Sequence, residues 1–93
     1  MKRVDLNYRI IIETERAGDN SIVYIAYCPT LGISDYGDSV EEARSNMHEA
    51  IQCHIEGLLK TGDSIPPADT DNYFVSTSRI TVDHPVTFDY HHA

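Results

Sequence analysis

The stretch SVEEARSNMHEAIQCHIEGLLKTG, residues 39–62, carries the strongest secondary-structure signal in the chain. It begins with a capping box, in which the Ser39 side chain accepts the amide of Glu42 and the Glu42 side chain reaches back to the cap. Apolar residues then recur at spacings of three and four, and Gly62 is a typical left-handed C-cap. The pattern predicts an amphipathic helix from about Val40 to Thr61.

Three strands are predicted before this helix. Residues 8–14 alternate with period two, residues 22–28 are apolar on both faces, and residues 33–36 lie between two glycines. The turn between the first two runs contains Gly, Asp and Asn, which tolerate left-handed backbone conformations. We interpret the three runs as an antiparallel meander whose central strand is covered on both sides.

The residues after the helix predict further β-structure. Residues 73–83 are rich in β-branched residues, and residues 86–90 alternate again, so we expect one strand and a second, shorter one. The fold class is therefore α+β: a three- to four-stranded antiparallel sheet with one long helix packed on it, in the order β-β-β-α-β. Residues 1–68 form the core, and residues 69–93 are a C-terminal strand extension that belongs to the same domain or to an oligomer interface.

Composition narrows the possible functions. The 93 residues include 7 Lys+Arg and 15 Asp+Glu, which give a net charge of −8 with neutral histidines. This balance argues against binding to nucleic acid or to anionic lipid, because both need basic surfaces. No apolar run approaches the roughly 20 residues that span a bilayer, and the N-terminus lacks a signal-peptide pattern. With only two cysteines, we expect a reduced cytoplasmic protein.

No catalytic constellation stands out. A metal-dependent nuclease needs several carboxylates that converge on divalent cations. The candidates Asp5, Glu13, Asp35 and Asp38 have no spacing that resembles such a set, so we interpret them as solvated acids. The sequence therefore predicts a protein that is not an enzyme, with metal-dependent nuclease activity as the weakest alternative.

Histidines and cysteines are expected to be structural or incidental. His54 lies in the apolar stripe of the predicted helix, and Cys53 points about 100° away from it, so the pair forms no catalytic dyad. We interpret both Cys53 and Cys28 as small buried apolar residues. The C-terminal histidines lack the fixed four-ligand geometry of a structural zinc site, and no metal or cofactor is expected; these histidines are His84, His91 and His92.

A succession of short motifs resembles a known family. The ordered set consists of YIAYCPTLG at 24–32, GDSVEEA at 37–43, EAI at 49–51, HIE at 54–56 and IP at 65–66. Together, over roughly residues 8–67, these motifs resemble the HicB-like antitoxin family, whose fold is a partial ribonuclease-H-like domain. The motifs mark how strands lead into the helix, so they are a signature of the fold more than of chemistry.

The resemblance implies a binding function. HicB-like antitoxins bind small basic HicA-type toxins, which cleave mRNA, and cover their active surface. Many members also carry a C-terminal DNA-binding module. Here only 26 residues follow Pro67, and they are acidic and contain no helix signal, so direct DNA binding is not expected. The alternative is a free-standing homo-oligomeric domain with a regulatory or ligand-binding role and no toxin partner.

Two sets of surface residues are candidate interfaces. Acidic residues on and beside the helix are expected to steer a basic toxin onto the protein; they are Asp35, Asp38, Glu41, Glu42, Glu49 and Glu56. A strand near the C-terminus is expected to cross to a second copy and make a homodimer or homotetramer, since small chains gain core by association. Its candidate interface residues are Tyr73, Phe74, Val75, Ile80, Val82 and Phe88.

Overall fold

A three-strand meander followed by one long helix forms the fold of the computed structural model, which describes residues 3–89. The elements are β1 Ile11–Arg16, β2 Ile22–Cys28, β3 Ile33–Gly37 and α1 Val40–Thr61. The strands pair in the antiparallel order β1-β2-β3, so β2 is central and β1 and β3 are the edges. The predicted α+β class, the presence of three strands before the helix and the bounds of α1 are confirmed, but β1 begins and ends later than the predicted residues 8–14.

Both ends of α1 are capped as the sequence predicts, with one difference. The Ser39 hydroxyl accepts the Glu42 N–H at 3.0 Å, while the Glu42 carboxylate accepts the Asp38 N–H at 3.4 Å rather than that of the cap residue. At the other end Gly62 has φ 74°, and the N–H groups of Gly62 and Asp63 donate to the last-turn carbonyls. These bonds form a Schellman motif, which satisfies carbonyls that the helix leaves without partners.

The core lies between α1 and one face of the sheet. Its fully buried members are Ala26 and Cys28 of β2 and Ala43 and Met47 of α1. Gly37, at the end of β3, lets the helix approach closely, because a Cβ at this position would lie 2.5 Å from the Ala43 backbone nitrogen. The small residues therefore bring the first turns of α1 directly onto β2 and β3.

The prediction that β2 is covered on both sides is wrong. The helix covers the face that carries Ala26 and Cys28, whereas the opposite face has no covering layer among residues 3–89. On that face Val23 and Ile25 are half-buried by their neighbours in the sheet, and Tyr27 is 45% exposed. Apolar composition on both faces of a strand thus does not require two covering layers in one chain.

The predicted strands after the helix are also wrong for the isolated chain. No strand forms between residues 62 and 89, and residues 70–89 are exposed throughout. Tyr90, the last residue of the shorter predicted strand, lies outside the described residues. A strand needs a neighbouring edge with which to exchange hydrogen bonds, and this segment leaves the sheet instead of pairing with β1 or β3.

Candidate functional site

The outward face of α1 carries a column of carboxylates. Glu42, Glu49 and Glu56 are seven residues apart and so lie almost in line, at intervals of about 10 Å along the helix axis. All three side chains are exposed. Within residues 3–89 Glu49 has no ion pair, and Glu56 accepts only a weak hydrogen bond from Gln52 at 3.4 Å. The column presents negative charge that neighbouring cations do not neutralise.

The other three predicted acids are not part of this column. Glu41 accepts a hydrogen bond and ion pair from Arg44 at 2.9 Å, which holds the pKa of Glu41 below its usual range. Asp38 lies in the turn before the helix, and Asp35 lies on β3, where its carboxylate accepts the Tyr36 N–H. The structure therefore brings together three of the six predicted acids and leaves the other three at the flank.

An apolar groove of about 480 Å³ runs along the helix next to this column, and Glu56 borders both. It separates α1 from the extended chain that leads into β1, and the helix packs least against β1 of the three strands. The groove is lined by Val4, Leu6, Asn7, Tyr8, Ile10, His48, Ile51, Gln52, Ile55 and Glu56. Five of these ten residues are aliphatic and only Glu56 is an acid, so the groove suits apolar side chains better than a charged ligand.

Asp69 joins three distant parts of the chain. Its carboxylate accepts the Thr30 hydroxyl at 2.5 Å and the Arg9 N–H at 2.6 Å, and its own N–H donates to the Asn7 carbonyl at 2.8 Å. The hydrogen bond from Thr30, followed by that from Arg9, holds the pKa of Asp69 below its usual range. The sequence alone gives Asp69 no role, because contacts between residues 39 to 62 positions apart leave no local signal.

The predicted oligomer-interface residues all lie beyond this Asp69 cluster. Tyr73 packs under the Arg9 guanidinium, whose carbon lies 3.5 Å from the ring centroid. The other five project from an extended segment and are largely exposed; they are Phe74, Val75, Ile80, Val82 and Phe88. In the isolated chain these residues contribute no buried core.

The structure separates the two cysteines. Cys28 is fully buried, as predicted, but Cys53 is exposed on α1, so its prediction as a buried residue is wrong. His54, beside it in sequence, is half-buried on the apolar side of the helix. The two residues face different sides because consecutive helical residues are about 100° apart.

Histidines and carboxylates do not cluster within residues 3–89. No group of three His, Cys, Asp or Glu side chains in this range is arranged to hold a metal ion. His84 contacts only its neighbour Asp83, at 3.6 Å, and His91 and His92 lie outside the described residues. No helix in the same range is long and apolar enough to cross a membrane.

Comparison with known proteins relates these features to a family. The family model described as the HicB-like antitoxin of the bacterial toxin–antitoxin system matches residues 8–79. UPF0150 protein ssr1765 from Synechocystis is 39% identical over 64 residues, which cover 68% of this chain and 76% of that protein. No solved structure gives a significant match. The match to the family model spans all four structural elements and reaches into the exposed segment that follows them.

Proposed function

The chain belongs to the HicB-like antitoxin family of bacterial toxin–antitoxin systems, and from this premise we propose that it neutralises a small basic HicA-type toxin by covering its RNA-binding surface. The protein acts by occupying a surface and needs no catalytic group of its own. Because the proposed target of the toxin is mRNA, the complex forms in the cytoplasm. Two acidic molecules, the RNA substrate and this protein, then compete for the same surface of the toxin.

The observation that carries this proposal is the carboxylate column on α1. A toxin that cleaves RNA presents basic side chains to phosphates, and the same side chains suit a row of exposed carboxylates. Glu42, Glu49 and Glu56 form the centre of the proposed toxin-binding surface, and the remaining predicted acids form its flank; these are Asp35, Asp38 and Glu41. The net charge of −8 adds a long-range field that speeds the encounter.

Charge reversal at the centre of the column tests the proposal. Glu49→Lys is expected to slow association with the product of a small basic reading frame beside this gene about tenfold at low salt, with a smaller effect at high salt. Glu15→Lys is the matched control, since it changes the net charge equally at an exposed position on the sheet face opposite α1. Binding rates of the purified proteins and rescue of growth on co-expression are the two measurements.

Two results contradict the proposal. The first is a toxin that neither binds the protein nor is relieved by it, or a gene without a small basic reading frame beside it. This result favours the free-standing homo-oligomeric domain with a regulatory or ligand-binding role. The second is an equal effect of both substitutions, which would attribute binding to net charge and not to the helix face.

A further inference from the structure

The segment after the Asp69 cluster, residues 73–89, is here called the C-terminal arm. Its even-numbered positions are mostly apolar and its odd-numbered positions mostly polar, a pattern typical of a strand with one buried face. Yet Phe74 is 94% exposed and Ile80 is 78% exposed. The radius of gyration is 17.4 Å, whereas a compact chain of this length has about 12 Å. Residues 74–86 thus have the pattern of a half-buried strand, yet their apolar side chains are exposed.

The base of the arm is held at a defined place. Asp69 binds the chain just before β1, the Arg9 guanidinium donates to the Thr70 carbonyl at 2.8 Å, and the same guanidinium stacks on Tyr73. These contacts fix where the arm begins and order the residues that precede it. The arm therefore begins at a defined place beside the chain that leads into β1.

A surface of matching character lies along β1. Among the described residues β1 pairs only with β2, so its outer edge offers free backbone donors and acceptors. The apolar groove of about 480 Å³ lies on the helix side of the chain that leads into this edge, with Ile10, Ile51 and Ile55 in its lining. A strand added along β1 would direct every second side chain toward the helix side of the sheet, where this groove begins.

The charges of the arm agree with this placement. With the even positions toward the groove, the odd positions face the opposite side of the sheet, where Glu13 and Glu15 project. Arg79, the one cation of the arm, is at an odd position and comes to the side of these two carboxylates. The arm also contributes only −1 to the net charge of −8, so it can approach a second acidic copy with little repulsion.

We infer that the C-terminal arm of one copy adds as a fourth strand along the β1 edge of a second copy, and that the exchange is reciprocal. The apolar side chains at the even positions of each arm expose about 500–700 Å², taking about 150–200 Å² per full side chain. Two arms contribute roughly 1,000–1,400 Å², and with the surface that they cover on the receiving edges the interface falls in the range of about 1,200–2,000 Å² that stable complexes bury. The predicted strand then forms in the dimer and not in the isolated chain.

Light scattering on the purified full chain across a dilution series tests this inference without any toxin, so its failure is separate from that of the proposed function. The expected particle has twice the 10.5 kDa mass of the chain, or an even multiple of it. Ile80→Ser is expected to raise the dissociation constant roughly 100-fold or more, because each dimer buries two such side chains. Thr81→Ser is the matched control on the polar side of the arm.

A charge swap identifies the receiving edge. Arg79→Glu weakens the dimer, and Glu13→Arg in the same chain restores it if the two side chains face each other. Both residues are exposed in the isolated chain, so neither change disturbs its fold. A wild-type particle of 10.5 kDa at every concentration, or an oligomer unchanged by Ile80→Ser, would overturn the inference. Rescue that fails while Ile80→Ser still dissociates the dimer would refute the β1 edge as the receiver.

Discussion

Replacing Gly37 with alanine tests the packing of helix on sheet most directly. The added Cβ would lie 2.5 Å from the Ala43 nitrogen and 2.9 Å from the Glu42 carbonyl carbon, where 3.4–4 Å is an ordinary contact. Gly37 does not have a positive φ, so the substitution introduces no backbone strain and isolates this contact. To remove the overlap, α1 and β3 must separate by about 1 Å, which disturbs the closest approach in the core.

The size of the destabilisation depends on which atoms oppose the added Cβ. Overpacking of a core costs about 1–3 kcal/mol, and the upper end applies because the opposing atoms are helix backbone, not a flexible side chain. The Ala43 N–H is also held by the Ser39 carbonyl at 2.9 Å. A loss of about 3 kcal/mol lowers Tm by roughly 12–24 °C in a domain of this size. This is a large fraction of the total stability of a small domain.

Gly57→Ala is the control, because a Cβ there meets nothing within 4 Å and alanine favours a helix interior. It is expected to stabilise the protein by about 0.5–1 kcal/mol. Urea unfolding of both variants should be followed at one protein concentration, since association shifts the midpoint. If Gly37→Ala leaves the free energy of unfolding unchanged or raises it as Gly57→Ala does, the close approach of α1 to β3 is refuted.

Two further perturbations address the cap and the Asp69 cluster. Ser39→Ala is expected to lower the free energy of unfolding by about 1 kcal/mol, while Ser45→Ala, exposed within the helix, has little effect; urea unfolding compares them. Asp69 has a folded-state pKa below its unfolded value, so its stabilisation is present at neutral pH and is lost as pH falls below about 4. Asp69→Asn should therefore lower the free energy of unfolding at pH 7 and reduce its further loss as the pH falls. An equal loss of stability in acid for the variant and the wild type would contradict this role.

Local patterns in the sequence predicted the helix and the meander because local interactions stabilise them. The Ser39 cap, the Gly62 C-cap and the spacing of apolar residues all involve neighbours within a few positions. The same is true of the turn at Asn20, whose φ of 70° suits an asparagine. These features can be predicted without knowing the rest of the molecule.

Features that depend on distant partners were not predictable in the same way. Alternation in residues 73–83 shows that the segment suits a half-buried strand, but it does not show which edge receives it. The apolar outer face of β2 carried the same ambiguity. Asp69 was missed because an aspartate after two prolines has the composition of a linker, and its three partners are remote in sequence.

The six acidic residues were grouped together from the sequence, and the column among them was not singled out. The helical period of α1 places Glu42, Glu49 and Glu56 on one line, and their exposure agrees with that. The helical period gives no information on Asp35 and Asp38, because Asp35 lies on the edge strand β3 and Asp38 lies in the turn before α1. Whether these residues contact a toxin stays a prediction that charge reversal can check.

The Asp69 cluster also bears on the order in which the protein folds as it is made. Its hydrogen bonds span 39 to 62 positions, whereas the meander and the helix form through close neighbours. Local contacts form sooner because they require less loop closure, so the cluster should close after the sheet and helix exist. The arm leaves the ribosome after the β1 edge has been made. Each newly synthesised chain would then meet its neighbour with a finished sheet, and assembly would follow folding instead of competing with it.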